Sequence, residues 1–501
     1  MNQFLIFKTN FADYLLSFRI YFYTSLMIKK IQLLVIFLTF SVFGHAQAYS
    51  FGKKISPEQL KEDFSILVTS LQENHPGLYD FSSKAKFDSL VVENLRAMND
   101  SLTADVFHVR VRKFLHVIGC GHTSARPSKD WYKFVREQDR IIPMHVFLYN
   151  EELYVRGIIT DSIGDYVGAR IVAVNDVPSQ EILAELKSIT GHDGVGETMV
   201  DKNVERLFQT LYTFFYGLRD VYYVDLEFKN GVERELRLEG GNAKKYFVDK
   251  PDVYDTEIEV KEAKFGFVGG SKKVAVMKLN SFPLKGYKKF YKKVFKRLSD
   301  YDSVDLVIDL RGNGGGYFPN GNELLKYLMN EKFTMDIDKP QKHTKNNKHL
   351  KLNIFSHITR FILSTIPDKN KEDPDRNYQI RHKPIKRNHF GGGLYILMDG
   401  LSFSASSFVT SKLKKSRGAI VVGEESGGGE VGFNAVLSWD LNLPNSGLRV
   451  SVPVYHVDIQ PEMEDVGRGV IPNLPVNYSL DDKIDGLDLE MQLVLRLLSG
   501  K

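Results

Sequence analysis

Three short stretches concentrate residues whose types and spacing suit covalent chemistry. The first, Gly400-Leu401-Ser402-Phe403-Ser404-Ala405-Ser406-Ser407-Phe408, sets four serines in six positions directly after an aliphatic run. A serine that opens a helix after a buried strand sits on a sharp turn with its hydroxyl outward. The next backbone N–H, on Ala405, then points out of the helix N-terminus toward developing negative charge. That is nucleophile chemistry. A plain helix cap is the competing reading, and four serines leave the nucleophile open. The pattern is not Gly-x-Ser-x-Gly, because Ser404 stands where the second glycine would be.

The second stretch is Asp309-Leu310-Arg311-Gly312-Asn313-Gly314-Gly315-Gly316, at the end of the apolar run VDLVIDL. Glycines there let backbone N–H groups converge on an anion or oxyanion. The loop lies where open α/β sheets place their sites, beyond the C-terminal ends of strands. A phosphate loop would end in Gly-Lys-Ser/Thr, which is missing; a bare tight turn is the other alternative. The third stretch is Gly121-His122-Thr123, a lone histidine in a glycine-punctuated loop, and such a histidine is by itself more often structural than catalytic.

The elements that must position these residues fall into three textures. Over 49–130 the pattern is helical. Ser56-Pro57-Glu58 supplies a cap and a first-turn proline before LKEDFSILVTSLQ, a second helix spans about 84–98, and a third runs from Ser101–Asp105 to Val117. Over 135–245 short β-branched runs predict strands, with Asn230-Gly231 closing a hairpin and a helical stretch between about 181 and 218. Over 255–480 strands alternate with helices (VAVMKL, then YKKFYKKVFKRL, VDLVIDL, LYILM and AIVVG), which predicts a mostly parallel sheet with right-handed crossovers. Residues 331–390 form a polar, lysine-rich insertion in that third block, and 481–501 a C-terminal helix. No internal repeat is evident.

Composition limits the function classes. The chain has 501 residues, 43% hydrophobic and 26% charged, and a formal net charge of +5. That describes a multidomain globular protein and makes no case for nucleic acid as a partner. Cys120 is the only cysteine, so no intramolecular disulfide forms and a zinc site built on cysteines is excluded. Met27-Ile28-Lys29-Lys30, the apolar IQLLVIFLTFSVF and Ala46-Gln47-Ala48 read as a secretory signal over 27–48, with residues 1–26 an upstream mis-start. The expectation is an exported protein, periplasmic or extracellular, with no stable membrane span after cleavage.

Taken together, the motifs resemble the tail-specific (C-terminal-processing) serine peptidases and their tricorn-core relatives. The resemblance rests on Gly-His-Thr after a helical block, Asp-Leu-Arg-Gly-Asn-Gly-Gly-Gly, and Ser-Ala-Ser-Ser followed by VVGEESGGG. Asn74-His75-Pro76-Gly77-Leu78-Tyr79 and Gly469-Val470-Ile471-Pro472-Asn473 add to it. It implies an α/β multidomain fold: an N-terminal helical domain, a PDZ-like β-rich domain around Gly168–Asn175, and a ClpP/crotonase-like catalytic core. It also implies Ser404 as nucleophile, and Ala405 with glycine N–H groups of the 312–316 loop, Gly314 and Gly315, as oxyanion hole.

Where the tail-specific branch has its lysine base this chain has Gly429, and no lysine lies between Lys415 and Lys483. The tricorn branch uses a histidine from the Gly-His-Thr loop, so the resemblance assigns the base to His122, with His456 the fallback. An imidazole at its ordinary pKa of about 6.5 serves at neutral pH without heavy burial. The acid that orients it is sought among Glu462, Glu464 and Asp465, with Glu464 favoured; the serine that tricorn-type members carry before the histidine is replaced by Gly121. The implied activity is hydrolysis of peptide bonds in a protein or peptide substrate, with no metal and no cofactor. The alternative is a peptide- or hydrophobic-ligand-binding protein on the same fold.

Overall fold

Ser56 caps the helix Pro57–Asn74 through a capping box with Gln59, and Pro57 takes a first-turn position where its missing N–H costs nothing. The computed structural model describes residues 52–158, 166–242, 254–269, 273–338, 348–352, 378–460, 462–463 and 467–499. The signal-peptide reading and most of the polar insertion lie outside them. Two more helices, Lys84–Ala97 and Ala104–His116, complete the N-terminal block. Among the described residues no helix is long and apolar enough to cross a membrane.

The block does not close on itself. Phe64, Leu67, Phe107, Val111 and Phe114 share one core with Leu441, Leu448, Val450 and Val452 of a long distal hairpin. That hairpin, Gly432–Asn442 with Arg449–Asp458, anchors a second sheet in the order Leu350–Leu352, Gly432–Asn442, Arg449–Asp458, Phe333–Ile337, Tyr378–His382. The short strand Ser124–Arg126, just past His122, adds to it antiparallel against Arg449–Ser451. Buried Asp63 fastens the joint, accepting from Ser446 N–H (2.8 Å) and Oγ (2.6 Å) and from Asn445 N–H (3.0 Å). The strand pattern of the sequence stopped at AIVVG and missed this hairpin.

The β-rich unit is an antiparallel sheet in the order Met144–Tyr149, Glu152–Ile158, Arg170–Val174, Val221–Glu227, Glu233–Glu239. The helices Ser179–Ser188 and Thr198–Tyr216 pack on it around their own core. Its last hairpin turns at Gly231 with φ +77°, as the Asn-Gly signal predicts.

The third sheet has seven strands. Val274–Leu279, Asp305–Asp309, Leu394–Met398, Ile420–Gly423 and Leu474–Pro475 run parallel, and Ala263–Phe267 and Asp255–Val260 extend it antiparallel. Asp305–Asp309 and Leu394–Met398 are buried along nearly their whole length, as central parallel strands covered on both faces must be. The architecture is therefore mixed α/β with a mostly parallel core sheet. Its central strands end at the glycine loop and the serine turn.

Candidate active site

Asp309 closes a central strand, and the chain turns at Gly312, with φ +74°. Arg311 is not a free cation here. Its guanidinium forks onto Asp309 (2.9 Å), Asp488 (2.7 Å) and Glu490 (3.0 Å), tying the C-terminal helix to the loop. Asp399, at the end of the neighbouring strand, accepts from Gly312 N–H (2.9 Å) and Leu401 N–H (3.0 Å), clamping glycine loop to serine turn. Asn313, wholly buried, adds a second clamp: its carbonyl accepts from Phe403 N–H (3.0 Å) and Ser406 Oγ (2.8 Å).

The four serines separate by environment. Ser402 Oγ donates to Leu310 O (2.8 Å), Ser406 Oγ to Asn313 O and Ser407 Oγ to Ser402 O (3.0 Å), and all three residues are fully buried. Ser404 is partly exposed, and its hydroxyl has no partner among the described residues. It precedes the helix Ala405–Arg417 without capping it, and its backbone sits at φ +57°, ψ −116°. A non-glycine residue held there is strained by roughly 1–3 kcal/mol, which surrounding structure must offset. The cap reading therefore fails at Ser404.

Among the described residues the N–H groups of Ala405 and Gly314 have no acceptor. Gly315 departs from expectation: its N–H is spent on Asn313 Oδ1 at 2.9 Å, so it is not a free donor. What it supplies is space. At φ +93°, a Cβ on Gly315 would lie 2.6 Å from Phe403 O, 2.8 Å from Ser404 Cβ and 3.0 Å from Ala405 N. Gly428 closes the opposite side, where a Cβ would lie 2.9 Å from Ser404 N. At Gly429, the family's lysine position, a Cβ would lie 2.2 Å from Gly432 O. Lys412 donates to Ile459 O, and Lys414 and Lys415 pair with Glu430 and Glu462.

His122 comes to this turn from the other end of the chain. Its ring lies 4.4 Å from that of Phe403, the residue before Ser404, and stacks at 5.6 Å on Phe433 of the long hairpin. Its Nδ1 is buried with no partner among the described residues. Burial disfavours the imidazolium and pulls its pKa down to about 4, which replaces the ordinary value expected from sequence. A Cβ on Gly121 would lie 2.8 Å from the Phe403 ring, so the serine of tricorn-type members has no room there. His75 bonds through Nε2 to Thr123 Oγ1 (2.9 Å), and burial takes it to about 3.

The fallback His456 has both nitrogens engaged, with Asn434 Oδ1 at 2.9 Å and Asp458 Oδ1 at 3.4 Å, and Asp458 helps raise its pKa against burial. Of the acids, Glu462 pairs with Lys415 at the surface; Glu464 and Asp465 lie outside the described residues. The acid that sequence reasoning missed is Asp193, from the loop joining the two helices of the β-rich unit. It accepts from Gly121 N–H at 2.5 Å, and one carboxylate oxygen lies within 4.8 Å of a His122 ring nitrogen. Gly194 N–H donates to Gly119 O and Val195 N–H to Gly467 O, both at 2.8 Å, which seats this loop between the histidine loop and the core. The run Gly191-His192-Asp193-Gly194 sets a histidine and an acid between two glycines; that was the available signal.

A strained serine on a strand-to-helix turn, unpaired backbone donors beside it and a half-buried histidine loop packed on the same turn are an arrangement that could act on a carbonyl. Residues 273–476, the segment that carries the glycine loop and Ser404, match the family model of peptidase family S41. Solved structures show the same fold over most of the chain. Mature CPAF complexed with lactacystin is 16% identical with a TM-score of 0.65, covering 89% of this chain and 99% of that one. Mature CPAF alone is 15% identical with a TM-score of 0.64, covering 89% and 98%. No curated relative matches by sequence.

Proposed function

We propose that the protein is an exported serine peptidase in which Ser404 is the nucleophile and His122 the general base. The observation that carries this reading is the partition of the four serines: one strained, partly exposed and unpartnered, three buried and bonded to carbonyls. Ser404 Oγ attacks the scissile carbonyl as His122 takes its proton, and the N–H groups of Ala405 and Gly314 hold the oxyanion. The imidazolium passes the proton to the leaving amine, and water, deprotonated by the same imidazole, releases the acyl group. A buried, neutral His122 suits the resting state, because it has a lone pair to offer at any pH above its own ionisation. The substrate is a protein or peptide. The β-rich unit is assigned to holding its C-terminal segment by strand addition.

Fluorophosphonate labelling followed by peptide mapping tests the reading. Label is expected on Ser404 alone and is lost in Ser404→Ala. Ser402→Ala and Ser407→Ala keep it while losing about 1 kcal/mol of stability each, the net worth of one hydrogen bond. Undiminished labelling of the Ser404→Ala protein overturns the assignment. Export is tested by mass spectrometry of the secreted chain, expected to begin at Gln47 or Tyr49; residues 1–26 in the mature protein would refute it.

A further inference from the structure

Cys120, His122 and Asp193 bring a thiol, an imidazole nitrogen and a carboxylate oxygen within 4.8 Å of one another. We propose that these three residues form a site for one thiophilic divalent cation, Zn²⁺ above all, whose binding switches the peptidase off. The switching half rests on His122 being the base; the binding half stands without it.

A single cysteine cannot build an all-cysteine zinc site, but one thiol with an imidazole and a carboxylate makes a mixed set suited to Zn²⁺ and unsuited to Ca²⁺ or Mg²⁺, which take oxygen ligands. A tetrahedral ion with bonds of about 2.0–2.3 Å draws its ligand atoms to within about 3.3–3.8 Å of each other. The three side chains therefore need to converge by no more than about 1.5 Å. His122 supplies an independent sign of a missing partner, since its Nδ1 is buried and nothing among the described residues satisfies it; such an orphan in a native site calls for an explanation.

The surroundings hold the ligands in place. Gly121 N–H fixes one Asp193 oxygen and so the orientation of its carboxylate. Thr123 N–H donates to Cys120 O at 3.0 Å and shapes the turn that presents the thiol. The Cys120 side borders a small cleft shared with His116, Thr123 and His192, and the Asp193 side a second one shared with Phe433 and His456. On binding, the thiol proton is displaced to solvent and the thiolate takes its place at the metal.

Inhibition follows from the valence of imidazole. A neutral ring has one N–H and one lone pair. A metal on either nitrogen takes the lone pair and leaves the proton on the other, so neither nitrogen can accept the Ser404 proton. Three protein ligands also leave a fourth position open, which keeps binding reversible.

The test uses the full mature chain purified in chelator. Zn²⁺ is titrated by calorimetry, and Co²⁺ by its thiolate charge-transfer absorption, beside hydrolysis of a peptide substrate. One equivalent of Zn²⁺ is expected to bind, to lower hydrolysis at least tenfold and to be reversed by chelator. Cys120→Ser is expected to abolish the Co²⁺–thiolate band, and both Cys120→Ser and Asp193→Asn to weaken Zn²⁺ binding at least tenfold, each activity being compared with its own value in chelator. Asp193→Asn keeps the test open should Cys120→Ser fail to fold. An active enzyme that binds no Zn²⁺, or one inhibited equally whether Cys120 is present or not, overturns the inference. Zn²⁺ binding with the thiolate signature in a protein that never hydrolyses peptides upholds the site and sinks the Ser404–His122 reading instead.

Discussion

Ser404 is held at φ +57° in contact with Gly315 and Gly428, and this local geometry makes two expectations sharp. Gly315→Ala places a methyl 2.8 Å from Ser404 Cβ on a backbone at φ +93°, and kcat/KM is expected to fall on the order of 100-fold or more, because small displacements of a nucleophile are costly. Gly418→Ala is the control. Its φ is +71° but a Cβ there meets nothing within 4 Å, so it should cost about 1 kcal/mol of stability and leave kcat/KM intact. Equal activity loss in both would mean that strain alone, without contact at Ser404, explains the effect. His122→Ala should lose on the order of 10³-fold, since base and nucleophile act as a unit. With the imidazole pulled down to about 4 by burial, the metal-free enzyme loses kcat/KM only as pH falls toward that value. Rates at pH 5.5 and 7.5 should agree within about twofold. A controlling ionisation near 6–7 would show that the base is exposed during turnover or is another group.

At the scale of elements, the helix Pro57–Asn74 and the long hairpin matter because their joint carries the His122 loop to the core. Asp63 receives four hydrogen bonds from Asn445 and Ser446. Removing its carboxylate leaves buried donors unsatisfied, and Asp63→Ala is expected to lower unfolding free energy by about 3 kcal/mol, read as a shifted urea midpoint. The helix block should then loosen first, seen as faster amide exchange over 57–74 and 441–452 than over the central strands. Uniform exchange would mean that the joint is not a separate point of failure.

Across the whole molecule, buried and half-buried histidines shape the response to acid. His75 and His108 are driven to about 3 and His122 to about 4 by burial, and His145, His192 and His382 are lowered as well. In the unfolded chain these groups titrate near about 6.5. Below that pH the unfolded state binds protons that the folded state refuses, so stability falls as pH drops, by up to about 1.4 kcal/mol per pH unit for the fully buried His75 and His108 and by less for the half-buried rings, which solvent screens. His456, raised with Asp458's help, works in the opposite sense, as do Asp201, Asp225 and Asp399, whose carboxyls burial raises, but the six lowered histidines outnumber them. The melting temperature is expected to decline steadily from pH 6.5 toward 4, and His108→Gln should reduce that slope by about one proton. A flat profile over this range would contradict the burial of these rings.

The periodicities of the sequence determined a good deal of this protein: the three N-terminal helices, the Asn-Gly hairpin and the central parallel strands Asp305–Asp309 and Leu394–Met398. These depend on local patterns of burial, capping and turn chemistry that a short window contains. Sequence also located the glycine loop and the serine turn, because both are punctuation at strand ends. It did not distinguish the four serines by residue type or spacing, since what separates them is which hydroxyl meets a carbonyl: Leu310, Asn313 and Ser402 take three, and Ser404 is left. The spent N–H of Gly315, the depressed pKa of His122 and the arrival of Asp193 from the β-rich unit were likewise decided only by tertiary structure. Each depends on contacts between residues far apart in the chain, and burial and proximity of that kind are properties of the packed molecule.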